Sequence, residues 1–157
     1  MKLFFSSGTA AFKAGLILLN IKSNDEILIP QFVCDVLIQP LNELNIKPIY
    51  FKIKKDLFPD WKDINKKFTN NVKAIVMINY FGFPLDFKNF INFKKKKNIF
   101  LIEDNCHGFG GLYLEKKLGT FGDIGFDSPG KIINNLYSGG ILYTNNINII
   151  CLEFFPY

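Results

Sequence analysis

Apolar residues in this chain form short runs that alternate with segments of helical spacing. The short runs predict strands at 26–29, 47–53, 73–79, 99–103, 123–126 and 140–144. Apolar positions three and four residues apart predict helices at 9–19, 34–44, 63–68 and 87–97. Ser7 or Gly8 is the expected N-cap of the first helix, and Pro40 is expected to kink the second. Because strands alternate with helices, the pattern predicts an α/β fold, a mostly parallel sheet with helices on both faces.

Two shorter features complete the pattern. The stretch 111–118 predicts a small hairpin that turns at 115–117. Near the start, the apolar run Leu3-Phe4-Phe5 ends at Ser6, which makes it too short for the apolar core of a signal peptide. No apolar run has the length that a bilayer requires, so no membrane partner is expected.

Composition narrows the class of protein. A length of 157 residues predicts one domain with a substantial core. The net charge of +5 comes from lysine, part of it in the run 94–97. That run indicates a solvated helix end rather than a nucleic-acid surface, because it has no interleaved arginine and no reader motif. Cys34, Cys106 and Cys151 form no C-x-x-C pair, and an odd cysteine count without secretory features predicts a cytoplasmic location.

Two segments carry candidate chemistry. In FLIEDNCHG at 100–108, an apolar run brings Asp104 to the predicted carboxyl end of a parallel strand, where open α/β sheets bind ligands. In SPGK at 128–131, Lys131 follows Pro129 and Gly130, so it is not part of a charged helix face. A carboxylate and a lysine presented in this way suit pyridoxal phosphate (PLP). The lysine forms a Schiff base, and the carboxylate keeps the pyridine nitrogen protonated. The structural alternative for Asp104 is a carboxylate that caps the following turn.

Three further motifs stand in register with these two segments. They are SSGTAA at 6–11, IPQFVCDV at 29–36 and NYFGFP at 79–84. Together with EDNCH at 103–107 and Lys131, they resemble the DegT/StrS-type sugar aminotransferases, which are fold-type-I PLP enzymes acting on nucleotide-linked keto sugars. The resemblance extends from about Phe4 to Asn146. It implies the large-domain fold of these enzymes and PLP as the cofactor, and no metal is expected.

The resemblance implies roles for residues around the cofactor phosphate. The backbone of Gly8, Thr9 and Ala10 matches the segment that holds the phosphate, and a helix N-terminus suits an anion, although any N-cap has this appearance. Ser128 is placed for a further phosphate contact. Many members carry a serine five residues before the lysine, and here that position is Phe126. The pair at 139–140 matches glycines where the backbone turns close to the site.

The remaining roles concern the cofactor ring. Lys131 matches the Schiff-base lysine, which can also move a proton during catalysis, and Asp104 matches the carboxylate at the pyridine nitrogen. Phe32 matches an aromatic residue that stacks on the ring; its structural alternative is core packing. His107, the only histidine, matches a position near the ring hydroxyl; its alternative is a structural role.

The family's proteins are more than twice as long as this chain and have an N-terminal segment and a small C-terminal domain. We therefore interpret 1–157 as a partial PLP-binding large domain without those two parts. The implied function is transfer of an amino group, commonly from glutamate, to a nucleotide-linked keto sugar for lipopolysaccharide, glycan or antibiotic synthesis. Lys131 argues against the related dehydratases, which have histidine there. A homodimer, or association with a chain that supplies the missing domain, is expected.

Two alternatives to an active enzyme remain at this point. The chain could be an inactive remnant or one half of a split aminotransferase, with apolar surface exposed on its Phe-rich strands and at 147–155. A nucleotide-binding α/β domain of another kind is the weaker alternative, because the chain has neither G-x-G-x-x-G nor a Walker lysine motif.

Overall fold

The computed structural model describes residues 1–84 and 86–144. Its strands are β1 (Lys2–Phe5), β2 (Glu26–Pro30), β3 (Lys47–Phe51), β4 (Val72–Ile78), β5 (Phe100–Asp104), β6 (Leu112–Tyr113), β7 (Lys116–Lys117), β8 (Ile124–Asp127) and β9 (Gly140–Thr144). Its α-helices are α1 (Gly8–Leu18), α2 (Ile38–Glu43), α3 (Trp61–Lys67) and α4 (Phe87–Lys97). Short 3₁₀ turns occupy Asp35–Leu37, Tyr80–Gly82 and Pro129–Lys131.

Seven of these strands form one sheet in the order β1-β9-β8-β5-β4-β2-β3. The neighbours β3-β2, β2-β4, β4-β5 and β5-β8 are parallel. In contrast, β9 runs antiparallel to β8, and β1 runs antiparallel to β9. Two antiparallel steps restore the original direction, so β1 points the same way as β8. Helix α1, which follows β1, therefore begins at the edge where β4, β5 and β8 end.

Alternate residues of the central strands face two separate apolar layers. In β2, Ile27 and Ile29 pack with the side chains of α1, whereas Leu28 packs with those of α3 and α4. In β4, Val76 packs in the layer that contains α1, and Met77 packs in the layer that contains α3 and α4. Burial of each such side chain stabilises the fold by about 1.5–3 kcal/mol. This arrangement confirms the predicted α/β sandwich with a mostly parallel sheet.

Several predicted elements need correction. Lys2–Phe5 forms an edge strand that the apolar run was too short to indicate. The helix predicted at 34–44 is instead a 3₁₀ turn followed by α2. Pro40 is the third residue of α2, where a helix has no partner for the backbone N–H, so the proline disrupts no helical hydrogen bond.

The hairpin of β6 and β7 turns earlier than predicted. Leu112 pairs with Lys117 and Tyr113 with Lys116, so the turn consists of Leu114 and Glu115. Both turn residues have positive φ, 47° and 61°, as a two-residue hairpin of type I′ requires. The sequence has no Asn-Gly or Asp-Gly there, and the signal for this turn is therefore missing.

Within the described residues, no helix combines the length and the apolar character needed to cross a membrane. The segment 147–155 and Cys151, named above, lie outside the described residues.

Candidate active site

A depression lies at the carboxyl edge of the sheet, beside the start of α1. It encloses about 460 Å³, including the part open to solvent. Its walls come from the α1 N-terminus, the turn after β2, and the ends of β5 and β8. The lining residues are Ser7, Gly8, Thr9, Cys34, Val36, Leu37, Asp104, Cys106, Phe126, Ser128 and Lys131. The structure therefore brings together five residues selected from the sequence: Gly8, Thr9, Asp104, Ser128 and Lys131.

The start of α1 forms one end of the depression. The Ser7 side chain accepts a hydrogen bond from the Ala10 amide at 3.1 Å, which confirms Ser7 as the N-cap. The amides of Gly8 and Thr9 are in the first turn, where backbone N–H groups have no acceptor within the helix. With the positive end of the helix dipole, they suit an anion. Ala10 is not among the lining residues, and its amide donates to the Ser7 side chain, so this amide is not available to a ligand.

Close backbone approach shapes this end. A Cβ atom at Gly8 would lie 3.1 Å from the Ser128 Cβ and 3.2 Å from the Cys106 Sγ. A Cβ atom at Gly140 would lie only 1.9 Å from the Ser7 carbonyl oxygen, and Gly139 has a φ of +126°. The glycine pair thus allows β9 to pass directly against the start of α1, in agreement with the sequence interpretation. We call Gly8, Thr9 and Ser128 the phosphate end, after the role that the resemblance implies.

Lys131 reaches the same depression from the loop after β8. The 3₁₀ turn Pro129–Lys131 follows Ser128, and the Lys131 amide donates to the Ser128 carbonyl at 3.0 Å. Gly130 is required there, since a Cβ would meet the Leu136 carbonyl oxygen at 2.5 Å. The Lys131 side chain is exposed, so its amine is accessible from solvent.

Asp104, the last residue of β5, also lines the depression. Its carboxylate accepts a hydrogen bond from the Cys106 amide at 2.9 Å, so the turn-capping role that the sequence also suggested is present. Burial raises the pKa of Asp104. The Cys106 amide and thiol and the positive charges of Lys131 and His107 act in the opposite direction. Lys131 is therefore close enough to Asp104 to favour its ionised form.

Phe32 and His107 are near this site, but neither lines the depression described above. The ring of Phe32 is 54% exposed and stacks on Tyr80, with 5.4 Å between the ring centroids. The His107 ring is exposed and stacks on Phe81 at 6.1 Å. With Asp104, these two residues form what we call the ring end. Only Asp104 of the three contributes to the wall.

Several lining residues were not selected as ligands from the sequence. Cys34, Val36 and Leu37 belong to the turn after β2, and Cys106 follows Asp104 closely. Phe126 is 1% exposed and packs on Phe12 at 5.0 Å. It therefore supplies an apolar wall at the position where many family members have serine. In the sequence, only the position of these residues beside a motif could have indicated that they line the site.

Glu103 fixes the loop that leads into β8. Its fully buried carboxylate accepts hydrogen bonds from the Asn79 side chain at 2.9 Å and from the amides of Gly119 and Phe121 at 2.7 Å. Burial raises the pKa of Glu103, and these hydrogen bonds oppose that shift. A buried carboxylate with such donors orders the loop beneath the depression.

A second group of buried polar residues joins the ends of β5, β8 and β9. The Asn105 amide donates to Asp127 at 2.6 Å, and the Tyr143 hydroxyl donates to the other Asp127 oxygen at 2.6 Å. Lys117 in turn donates to the Tyr143 hydroxyl at 2.7 Å. Because Asn105 follows Asp104 and Asp127 precedes Ser128, this network restrains the separation of the two ends of the site.

Comparisons with known proteins indicate the family to which the chain is similar. The family model for the DegT/DnrJ/EryC1/StrS aminotransferase family matches residues 2–151. The chain is 31% identical over 153 residues to the GDP-perosamine synthase of Escherichia coli O157:H7, covering 95% of this chain and 42% of that protein.

Two solved structures share the fold. An E. coli GDP-4-keto-6-deoxy-D-mannose-3-dehydratase with bound hydrated PLP has a TM-score of 0.83 and 26% identity, covering 94% of this chain and 40% of that one. An aminotransferase from Psychrobacter cryohalolentis has a TM-score of 0.85 and 24% identity, covering 94% and 38%. The chain thus spans about two fifths of the length of these proteins.

Proposed function

The chain belongs to the DegT/DnrJ/EryC1/StrS aminotransferase family, and on this basis we propose that it forms the PLP-binding part of a sugar aminotransferase. The reaction transfers an amino group from an amino acid, with glutamate as the donor, to a nucleotide-linked keto sugar. One observation carries the proposal: Asp104, Ser128, Lys131 and the N-terminus of α1 meet at a single depression.

The residues present suit the chemical groups of PLP. The amides of Gly8 and Thr9 and the hydroxyl of Ser128 offer hydrogen-bond donors to a phosphate. Asp104 offers a carboxylate to the pyridine nitrogen, and the exposed amine of Lys131 is available for covalent attachment. Gly8 leaves the wall between the α1 start and Ser128 free of a side chain, so a phosphate can approach the backbone.

When bound, PLP supplies an electron sink for the negative charge that develops on the substrate carbon. Asp104 would hold the ring nitrogen in its protonated form through its carboxylate. Burial raises the pKa of Asp104, so a cation beside it is needed to hold it ionised. The free amine of Lys131, at Nζ, would act as the base that takes the proton from the substrate carbon and as the acid that gives it back during the transfer. The side chains of Val36 and Phe126 form an apolar part of the wall.

The proposed substrate class follows from the similarity to a GDP-perosamine synthase and from Lys131. Related dehydratases resemble the chain in fold, but the resemblance gives them histidine where this chain has Lys131. Aminotransferase chemistry is therefore favoured. We place the product amino sugar in synthesis of cell-surface polysaccharide, in the cytoplasm.

A second candidate concerns the partners of the chain: we propose that it is active only in association with another polypeptide. Large apolar side chains are exposed on the surface, including Phe83 at 65%, Phe81 at 66% and Tyr137 at 96%. Such surface is typical of an interface. We propose that a second copy of the chain covers this surface, and that residues 1–157 alone associate and transfer amino groups poorly.

The test is amino transfer from glutamate to a panel of nucleotide-linked keto sugars, with product detected by mass spectrometry. The chain is assayed with PLP alone and after fusion to a family small domain. We expect product from the fused form, none from its Lys131→Ala variant, and at least about a hundredfold loss in Asp104→Asn, which keeps the shape but removes the charge. The matched control Lys116→Ala changes an exposed hairpin lysine and should retain activity. Full turnover by Lys131→Ala would contradict the proposal.

A further inference from the structure

The turn Tyr80–Gly82 at the end of β4 contacts the residues of the ring end. Tyr80 is buried, with 5% of its surface exposed. Its ring stacks on the Phe32 ring at 5.4 Å with 26° between the planes, and its hydroxyl donates to the Phe32 carbonyl oxygen at 2.5 Å. Tyr80 therefore restrains both the backbone and the ring of Phe32, whose own side chain is half exposed.

The next residue of the turn contacts His107. Phe81 has a φ of 54° and a ψ of 22°, the left-handed conformation that is unfavourable for a large side chain. A Cβ at the following Gly82 would lie 3.1 Å from the His107 carbonyl oxygen, so the turn presses against the His107 backbone. In this conformation the Phe81 ring lies nearly parallel to the His107 ring, 20° between planes.

Asp104, the third residue of the ring end, is linked to the start of the same turn. The amide of Asn79, directly before the turn, donates to the Asp104 carbonyl oxygen at 2.9 Å. Burial, and secondly the negative charge of Asp104, raise the pKa of Tyr80. The Tyr80 hydroxyl thus stays protonated and keeps its hydrogen bond to Phe32 across the usual pH range.

We propose that Tyr80 is a positioning residue that fixes Phe32 for contact with the flat face of the cofactor ring. An exposed aromatic side chain on a loop loses conformational freedom when it packs on a ligand, and ordering it beforehand reduces that cost. The inference rests on the proposed function, since it takes the ring to be that of PLP.

The test begins without cofactor. Tyr80→Phe removes the hydroxyl and keeps the ring. The matched control Tyr113→Phe removes the hydroxyl of a tyrosine in the β6–β7 hairpin, which packs on Phe87 and Phe121 and does not line the depression. Loss of one hydrogen bond should speed hydrogen exchange of the amides at 31–37 about fivefold in Tyr80→Phe, with no change at 31–37 in the control. Unchanged exchange in Tyr80→Phe would overturn the inference.

PLP titration of the same proteins completes the test. In Tyr80→Phe we expect PLP to bind about fivefold more weakly and the circular dichroism induced in its absorption band to fall. In the control, the induced signal should match that of the unsubstituted protein. Faster exchange with unchanged PLP affinity and dichroism would show that Tyr80 serves the loop alone and would overturn the inference. If the unsubstituted protein binds no PLP even after fusion to a small domain, the proposed function itself fails.

Discussion

The phosphate end and the ring end of the depression are held in place by different means. At the phosphate end, backbone groups meet directly: the first amides of α1 lie against β8 and β9, and Gly8 and Gly140 make the approach possible. At the ring end, side chains meet through an intermediate turn, in which Tyr80 holds Phe32 and Phe81 holds His107. The backbone-built end is already on the wall of the depression, whereas the ring end contributes only Asp104.

This difference shows which part of the site is already in place once the chain has folded. The positions of backbone groups are fixed once the strands and helices have packed, because the backbone within these elements has few alternative conformations. Exposed side chains such as Phe32 and His107 retain rotamer freedom and need either a supporting turn or a ligand. We therefore expect substitutions at the phosphate end to affect stability most, and substitutions at the ring end to affect binding.

The largest stability effect should come from Gly140→Ala. Its Cβ would lie 1.9 Å from the Ser7 carbonyl oxygen. Because that oxygen is a backbone atom, it cannot rotate away as a side chain could, so β9 and the start of α1 must separate. We expect the free energy of unfolding to fall by about 3 kcal/mol, measured by urea denaturation.

Gly110→Ala is the matched control for this substitution. Gly110 has a positive φ, +83°, but nothing lies within 4 Å of an added Cβ. Its cost should be limited to backbone strain of about 1 kcal/mol. Equal losses in the two variants would show that close approach at the phosphate end is not the cause.

A smaller effect should appear in the pH dependence of stability at the ring end. Burial raises the pKa of Asp104 above its ordinary value of 3.8. Above 3.8 the unfolded chain releases this proton while the folded protein still holds it. The free energy of unfolding therefore falls as the pH rises between the unfolded and the folded pKa, by about 1.4 kcal/mol for each pH unit. Asp104→Asn should reduce this slope in urea denaturation at a series of pH values.

Asp63→Asn is the control for the pH measurement. The hydrogen bond from Lys67 lowers the pKa of Asp63, so its contribution is lost only on acidification below 3.8. The slope above pH 3.8 should therefore be unchanged in Asp63→Asn. A slope that is equally unchanged in Asp104→Asn would contradict a pKa of Asp104 raised by burial at the ring end.

The sequence predicted the repeating framework well because burial imposes a clear period on it. The bounds of α4 and β9 agree with the prediction, and both faces of the sheet are covered as expected. Edge and turn elements were less predictable. Strand β1 is short and half exposed, and the hairpin turn uses Leu114 and Glu115 without the usual turn residues.

The candidate site divides in the same way. Asp104, Ser128 and Lys131 follow strands that are readable from the sequence, and they meet because parallel strands end at one edge. The stacking of Phe81 on His107 involves a left-handed turn residue that no local preference indicates, and the contact of Tyr80 with Phe32 joins residues 48 positions apart. Asn105 and Asp127, 22 residues apart, form a contact that only the strand order brings about.

Borohydride reduction of the protein with PLP, followed by peptide mapping, tests the central claim most directly. The claim is that the two ends form one PLP site in which Lys131 carries the cofactor. We expect the pyridoxyl group on Lys131, and its loss when Gly8→Val obstructs the phosphate end, because the added side chain would meet Ser128 and Cys106. Label spread over surface lysines, or label on Lys131 undiminished by Gly8→Val, would contradict the account.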